Sequence, residues 1–242
     1  MFFTEKFREA IRMYLKKLLQ YHFNAHNDNS MAHKFRAKRM LFFEKNFEET
    51  FREEIKNHSP IKILDVGGTW GFWEAMHSKY FDVCQITLLN LSKAKIPEKI
   101  SNVKSVVGDA TDLSEYSDNE FDLVFSNSVI EHVGNYASQK KMADEILRVG
   151  RHLYLQTPNK NFPIEPHFIF PFFQFLPLIL RAFLLHHFAL GWYKKAQNKE
   201  QALEVADSVH LLTKRKLQKL FPDAKIQKEK FLLMTKSFYF FM

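Results

Sequence analysis

Apolar residues recur along this chain in two periods, and the change from one to the other marks its organisation. Over residues 2–22, Phe3, Phe7, Ile11, Leu15 and Leu18 stand at helical spacing, with Lys6, Arg8, Arg12, Lys16 and Lys17 largely on the other face. This predicts a basic amphipathic helix that either docks on the protein's own core or lies on an anionic lipid surface. Asn27 to Ser30 supply N-cap chemistry for a second helix over about 31–56, with Met31, Phe35, Phe42, Phe43, Phe47, Phe51 and Ile55 on its apolar face. Its basic first half, His33 to Arg39, is either a solvated face or a lid over an anionic ligand.

From Pro60 the helical period gives way to short apolar runs. Strands are predicted at 61–66, 84–90, 103–107, 121–126 and 151–157, separated by helix-compatible stretches near 72–80, 92–99 and 137–149. Such alternation implies a mostly parallel sheet with right-handed crossovers and helices on both faces. Thr213 caps a helix to about Leu220, and 225–231 and 236–241 read as two more strands. Their connection is too short for a parallel crossover, so they pair antiparallel. The expected organisation is a helical N-terminal extension, 1–58, and one α/β domain, 59–242, with an apolar insert at 160–195.

In a sheet of this kind, ligands bind outside the carboxyl ends of the strands. The residues predicted there are Asp65, Asn90, Asp109 and Ser126-Asn127, all polar. After the first strand comes the Gly-rich run Gly67-Gly68-Thr69-Trp70-Gly71, whose missing Cβ atoms let a ligand lie against main-chain N–H groups. It does not have the G-x-G-x-x-G spacing of a dinucleotide loop, and Asp65 just before it would repel a pyrophosphate. A nucleoside–amino-acid cofactor suits it better.

Composition narrows the setting. The net charge of +8 and pI of about 9.4 favour an anionic partner: nucleic acid, an acidic small molecule or a phospholipid surface. Cys84, the single cysteine, cannot form an internal disulfide, and no N-terminal segment reads as a signal peptide, so a reducing cytoplasm is expected. The 26 Phe residues concentrate near the N-terminus, at 162–188 and at the C-terminus. Within 168–193, Pro171, Pro177, Gln174, Arg181, His186 and His187 interrupt the apolar run, which disfavours a membrane-spanning helix. A lid over the site, a contact with the membrane surface and an oligomer interface are the readings left for it.

As a set, these motifs resemble the class I S-adenosylmethionine-dependent methyltransferases. Leu64-Asp-Val-Gly-Gly-Thr-Trp-Gly71 looks like that family's first motif, Gly108-Asp-Ala110 like its adenine-contacting motif, and Phe121 to Val133 like the fourth-strand motif of the branch that includes quinone methyltransferases. More narrowly, Gln156-Thr-Pro-Asn159 and Phe162-Pro-Ile-Glu-Pro-His167 look like a group of bacterial methyltransferases of the type 11 kind without a settled substrate. The resemblance covers about residues 60–242 and implies a Rossmann-like seven-stranded sheet, mostly parallel with an antiparallel last strand. It implies S-adenosyl-L-methionine as cofactor, held by Asp65, Gly67, Gly68, Thr69, Gly71, Asn90, Leu91, Asp109, Ala110 and Asn127. Asp109 would accept from the adenine amino group while the Ala110 N–H donates to the ring. Two positions depart from the family: Thr69 replaces the middle glycine, and Asn90 replaces the acid that holds both ribose hydroxyls.

Methyl transfer from a sulfonium needs alignment, exclusion of water and, for a hydroxyl acceptor, removal of a proton. His132 and Glu131, just after the fourth strand, are the catalytic candidates, with His132 the general base. The alternative is that His132 only bonds the backbone of its own turn. Asn159, Glu165 and His167, on a path stiffened by Pro158, Pro163 and Pro166, are candidate substrate contacts, and His167 is a second candidate base. His167, His186, His187 and His210 lack ligand spacing, so no metal is expected. The expected activity is O-methylation of a small or lipid-linked acceptor, with membrane-surface contact through 1–22 and 168–193. An RNA methyltransferase would suit the charge, but no aromatic-plus-basic strand motif is present to stack bases. A non-catalytic cofactor-fold protein that binds a membrane or partner is the reading from another class.

Overall fold

The computed structural model describes residues 31–76 and 80–242, so the helix expected over 2–22 lies outside the described residues. By its contacts the chain divides into two units, residues 1–47 and 48–242. The helix expected over 31–56 is two helices, α1 (Met31–Thr50) and α2 (Arg52–Lys56). They part at Phe51, whose φ of −108° and ψ of 32° leave the helical region. Phe51 is buried and meets the His152 ring edge-on, so tertiary packing overrides the continuous helical pattern there.

Nine strands follow among the described residues: β1 (Ile61–Val66), β2 (Cys84–Asn90), β3 (Val103–Val107), β4 (Phe121–Asn127), β5 (Gly150–Pro158), β6 (Ile164–Glu165), β7 (Phe170–Pro171), β8 (Lys225–Phe231) and β9 (Met234–Phe241). Seven form one sheet in the order β3-β2-β1-β4-β5-β9-β8, and β6 pairs with β7 in a separate ribbon. β1 to β5 are parallel, and β9 runs antiparallel to both β5 and β8. The one antiparallel strand of the sheet is therefore chain-terminal but sixth in space. This is the Rossmann-like sheet that the strand pattern and the resemblance implied.

β1, β2 and β4 are apolar almost without interruption because they are buried on both faces. Five further α-helices lie among the described residues: α3 (Trp70–Met76), α4 (Tyr136–Val149), α5 (Leu178–His187), α6 (Lys199–Asp207) and α7 (Lys214–Leu220). Met142, Ala143, Ile146 and Val149 of α4 and Leu217 and Leu220 of α7 share one core with Leu64, Val124 and Leu155 of the sheet. Elsewhere in the sheet region Trp73 and Phe72 pack on Phe125, which stacks on Tyr154 with ring centroids 5.0 Å apart. Asn135 caps α4, its side-chain oxygen accepting from the Ala137 and Ser138 N–H groups.

The expected helix at 92–99 is absent. That stretch is irregular, turning at Pro97 and tied down where Ser105 Oγ accepts from the Ala94 N–H. Pro97 disfavours a helical residue before it, which leaves too few residues for a turn-and-a-half of helix. The apolar stretch 168–193 is neither one helix nor one strand. It contributes Phe168, Phe173, Ala182 and Leu185 to a small core that Ala202 and Ala206 of α6 complete. The insert thus runs to residue 207. Its second helix is capped by Asn198, whose side chain accepts from the Gln201 N–H, and buries only alanines, which a search for large apolar residues passes over. No helix among the described residues is long and apolar enough to cross a membrane.

Candidate active site

Because β1, β4 and β5 are parallel neighbours, their carboxyl ends bring Asp65, Asn127 and Pro158 to one edge of the sheet, with Asn90 beside them on β2. Asp65 is 1 % exposed, and its Oδ2 accepts from the Trp73 indole at 2.6 Å. Burial pushes its carboxyl up to about 8, against the lowering effect of that hydrogen bond. The carboxyl lies directly beneath the Gly-rich turn: a Cβ on Gly68 would stand 1.9 Å from Asp65 Oδ2, and one on Gly67, at φ +73°, would stand 2.4 Å from Val129. Only glycine fits at either position. Asp65 therefore shapes the loop from below and reaches a ligand only by exchanging its bond to Trp73.

Above the loop the surface is open. Thr69 and Gly71 are exposed, and a Cβ on Gly71 would meet nothing within 4 Å. Asn90 donates from Nδ2 to the Gly68 carbonyl at 2.8 Å, which leaves its Oδ1 as an acceptor. An acid at this position could not make that bond, so asparagine here ties β2 to the glycine turn and still offers one ribose acceptor. Leu91 is 81 % exposed, an apolar side chain of the kind a nucleoside base covers. Asp109 is exposed and uses Oδ1 to accept from the N–H and hydroxyl of Thr111, leaving Oδ2 open, while Ala110 beside it is buried. Asn127 is half-buried, and the preceding Ser126 Oγ is buried with no partner among the described residues. The donors and acceptors on this rim fit an amino-acid nucleoside: two open acceptors, an exposed apolar base platform and a turn whose Gly67, Gly68 and Gly71 carry no side chain.

The other half of the site is a cluster of three side chains. Glu131 and His132 lie in a 3-10 turn, Ile130–His132, that follows β4, and His167 follows β6. The insert is moored to that turn: His210 N–H donates to the Glu131 carbonyl, and Gln139 Nε2 donates to the Ile130 and His210 carbonyls. His132 Nε2 and His167 Nε2 are 3.1 Å apart, with their rings perpendicular. Glu131 is fully buried; its Oε2 accepts from Thr157 Oγ1 at 2.9 Å, while Oε1 has no hydrogen-bond partner and stands 3.9 Å from His167 Nε2. Burial raises the Glu131 pKa, with the His167 charge opposing. Burial, then the neighbouring His167, lowers that of His132, although its outer edge is exposed. For His167 burial acts downward, but the hydrogen bond and charge of Glu165, with Glu131, more than offset it and the net shift is up.

Two expected substrate contacts take other roles. Glu165 is 1 % exposed, with Oε1 accepting from His167 Nδ1 and Oε2 from the His167 and Phe168 N–H groups, each at 2.7 Å. It orients His167 and presents no surface to a substrate. Asn159 is buried, donating to the Thr235 carbonyl and accepting from the Asn161 N–H, so it closes the loop onto β9. Proline-rich sequence marks an extended path, but it does not say which side chains face inward. Thr157, read only as part of a motif, positions Glu131, and Ser208 accepts from His132 Nδ1 at 3.4 Å. Neither contact has a signature in the sequence, since both cross tens of residues. A groove of about 450 Å³ lined by Lys62, Gln85 and Lys104 lies at the amino ends of the strands, opposite to where such sheets bind ligands.

Residues 64–152 match the family model described as a methyltransferase domain. That interval holds the glycine turn, Asn90, Asp109, Asn127, Glu131 and His132, but not His167. No curated protein matches the chain. Among solved structures, an S-adenosylmethionine-dependent methyltransferase from Methanosarcina mazei is 16 % identical, with 77 % of this chain and 94 % of that one covered and a TM-score of 0.45. A phospholethanolamine N-methyltransferase 2 from Haemonchus contortus, in complex with phosphomonomethylethanolamine and S-adenosylhomocysteine, is 15 % identical, with 76 % and 43 % covered and a TM-score of 0.46. A cyclopropane-fatty-acyl-phospholipid synthase-like protein from Lactobacillus casei is 13 % identical, with 78 % and 72 % covered and a TM-score of 0.43. This chain spans less than half the length of the H. contortus chain.

Proposed function

We propose, from the premise that residues 64–152 form a class I S-adenosylmethionine-dependent methyltransferase domain, that the protein methylates an oxygen atom of a small or lipid-linked acceptor. The observation that carries this reading is that the glycine turn packs at Gly67 on Val129, the residue just before the Ile130–His132 turn that bears the His132–His167 pair, whose nitrogens are 3.1 Å apart.

The cofactor, when bound, supplies a methyl group on a sulfonium. A hydroxyl acceptor that took up that methyl group would leave the sulfur its bonding electron pair and would have to give its own proton to a base of this chain. Asp109 Oδ2 would accept from the adenine amino group, Asn90 Oδ1 would accept from a ribose hydroxyl, and Leu91 would cover the base. Asn127 and the turn from Gly67 to Gly71 face the amino-acid end, and Asp65 keeps that turn in place.

His132 receives the proton. Ser208 offers His132 Nδ1 a carbonyl, which only accepts, and Glu165 offers His167 Nδ1 a carboxylate, so in neutral rings both Nδ1 atoms carry hydrogen. The two Nε2 lone pairs then face each other, and a proton entering between them is shared. The charge it brings is shared across 3.1 Å with the His167 ring, which the Glu165 carboxylate stabilises from behind.

A lipid-linked acceptor is supported by the exposed side of the insert, where Phe172, Phe175, Ile179, Phe183 and Trp192 are each more than half exposed. Contact with the cytoplasmic membrane surface follows from that side and the basic chain, and the chain's expected N-terminal helix would add to it.

Calorimetric titration with S-adenosylmethionine and S-adenosylhomocysteine tests the reading. Saturable binding of both is expected, and absence of both heats with folded protein would overturn it. The base is tested separately by single-turnover methyl transfer in His132→Ala, for which a drop of about 10²–10⁴-fold with cofactor affinity unchanged is expected.

A further inference from the structure

The pair of histidines and the buried glutamate satisfy a second kind of chemistry. Each of the three side chains has one donor atom held from behind and one turned toward the others. His167 Nδ1 is held by Glu165, His132 Nδ1 by the Ser208 carbonyl, and Glu131 Oε2 by Thr157. The atoms left over are His167 Nε2, His132 Nε2 and Glu131 Oε1; the first is 3.1 Å from the second and 3.9 Å from the third, and one ligand atom from each residue lies within 4.8 Å of the other two. Glu131 Oε1 is a buried carboxyl oxygen with no hydrogen-bond partner among the described residues, on a side chain of 0 % exposure, which a protein interior rarely leaves so.

We propose that Glu131, His132 and His167 bind a divalent first-row transition-metal ion, with coordination positions left open toward the acceptor. Two nitrogens each about 2.1 Å from one ion, at an angle of about 90–110°, stand about 3.0–3.4 Å apart. The observed 3.1 Å between the two Nε2 atoms fits that spacing. Glu131 Oε1 stands 3.9 Å from His167 Nε2 and the cluster as a whole spans up to 4.8 Å, whereas two ligand atoms about 2.1 Å from one ion stand at most about 4.2 Å apart, so the three side chains close by roughly half to one ångström around the ion, the exposed His132 ring turning inward.

The donor set selects the metal. Two imidazoles and one carboxylate suit zinc, iron, cobalt or nickel, whereas magnesium and calcium prefer oxygen donors throughout. Three protein ligands are also one fewer than a closed structural zinc site, so a position remains for an exogenous oxygen. The Glu165 carboxylate behind His167 is the arrangement that fixes ring orientation and tautomer in metal sites, and it makes Glu165 a positioning residue. Ligands from the 130–132 turn and from residue 167 would cross-link the insert to the sheet. The ion's place opposite the cofactor's methyl rests on the methyltransferase reading above; its binding does not. There it would hold an acceptor hydroxyl as the oxygen anion, the proton leaving to solvent on coordination; with the ion bound His132 Nε2 is a ligand, so this route replaces proton transfer to His132, which belongs to the metal-free protein.

The test uses the full chain stripped with EDTA and titrated with cobalt chloride and zinc chloride at pH 7.5. One Co²⁺ per chain with visible d–d absorption, displaced by Zn²⁺, is expected. His167→Ala and Glu131→Gln should abolish that absorption, and Glu165→Gln should weaken binding about 10–100-fold. His132→Ala, at the exposed edge, serves if a buried replacement fails to fold, and circular dichroism decides which variants count. No cobalt spectrum from folded protein at millimolar metal, or binding unchanged in folded His132→Ala and His167→Ala, would overturn the proposal. The second result would place the ion elsewhere, for instance at His186 and His187. S-adenosylhomocysteine binding is measured on the same samples. Its absence beside an intact cobalt spectrum removes the methyltransferase premise and leaves the metal site standing; its presence without cobalt binding does the reverse.

Discussion

Asp65 is where a single residue carries most of the strain between fold and function. A free carboxyl of pKa 3.8 is held at about 8 by burial beneath the glycine turn. Since the folded state keeps the proton longer than the unfolded chain, folded protein binds more protons between about pH 4 and 8, and stability falls as pH rises through that window. Four pK units correspond to an upper bound on the order of 5 kcal/mol. Asp65→Asn keeps an oxygen for Trp73 and removes the titration. Its melting temperature should change less than the parent's between pH 5 and 8, and it should exceed the parent's at pH 8 without cofactor; parallel curves would show that Asp65 does not titrate in this range. Gly68→Ala tests the same contact from the other side. A Cβ 1.9 Å from Asp65 Oδ2 must push the carboxyl off Trp73, so a loss of about 1–3 kcal/mol in denaturant unfolding is expected. A midpoint equal to the parent's would mean that the turn yields freely. That Asp65 mattered was legible from its place before the glycines. Its confinement was not, because burial of a polar residue depends on Trp73 and Gly68 being folded over it.

The elements that could be read from the chain are those whose sequence answers to one neighbour or to burial on both sides. β1, β2 and β4 are continuous apolar runs, and α4 shows its cap in Asn135 and its face in Met142, Ile146 and Val149. The insert is harder, since its apolar residues serve two surfaces at once. Phe168, Phe173, Ala182 and Leu185 pack inward, while Ile179 and Phe183 stand on the outer side of the same short helix α5 at 79 % and 52 % exposure. A helix that keeps such residues outward has a reason outside the domain core. If that reason is lipid, Ile179→Asp with Phe183→Asp should lower flotation with phosphatidylglycerol vesicles severalfold. The melting temperature should be unchanged, because neither side chain belongs to the buried core. Equal flotation of parent and double variant would remove α5 from any membrane contact and leave a protein interface for that side.

At the scale of the whole molecule, parallel order brings together what sequence keeps apart. His167 is 35 residues from His132, and no spacing rule links them; they meet because β5 lies beside β4 and the insert returns over the 130–132 turn. The residues expected to form a cofactor rim, by contrast, end or follow β1 to β4, which lie side by side in the order β3-β2-β1-β4, so their common edge could be expected from the strand pattern alone. Ligand binding to such a rim is also a stability measurement. At 100 times its Kd, S-adenosylhomocysteine should stabilise the protein by about 2.7 kcal/mol, a rise of about 5–10 °C for a domain of this size. Asp109→Asn separates recognition from folding. Its Oδ1 can still accept from Thr111 and so keep the turn, but the outward oxygen becomes an amide that donates toward the adenine amino group, also a donor. The expected result is an unchanged melting temperature without ligand and about tenfold weaker S-adenosylhomocysteine binding, about 1.4 kcal/mol, which removes about 3–5 °C of the shift at the same ligand concentration. An undiminished shift in that variant would mean that adenine is read elsewhere. Since Asn90 supplies only one open acceptor and Asp65 none, the rim would then hold no charged group for the nucleoside, and the placement of the cofactor along β1 to β3 would fail with it.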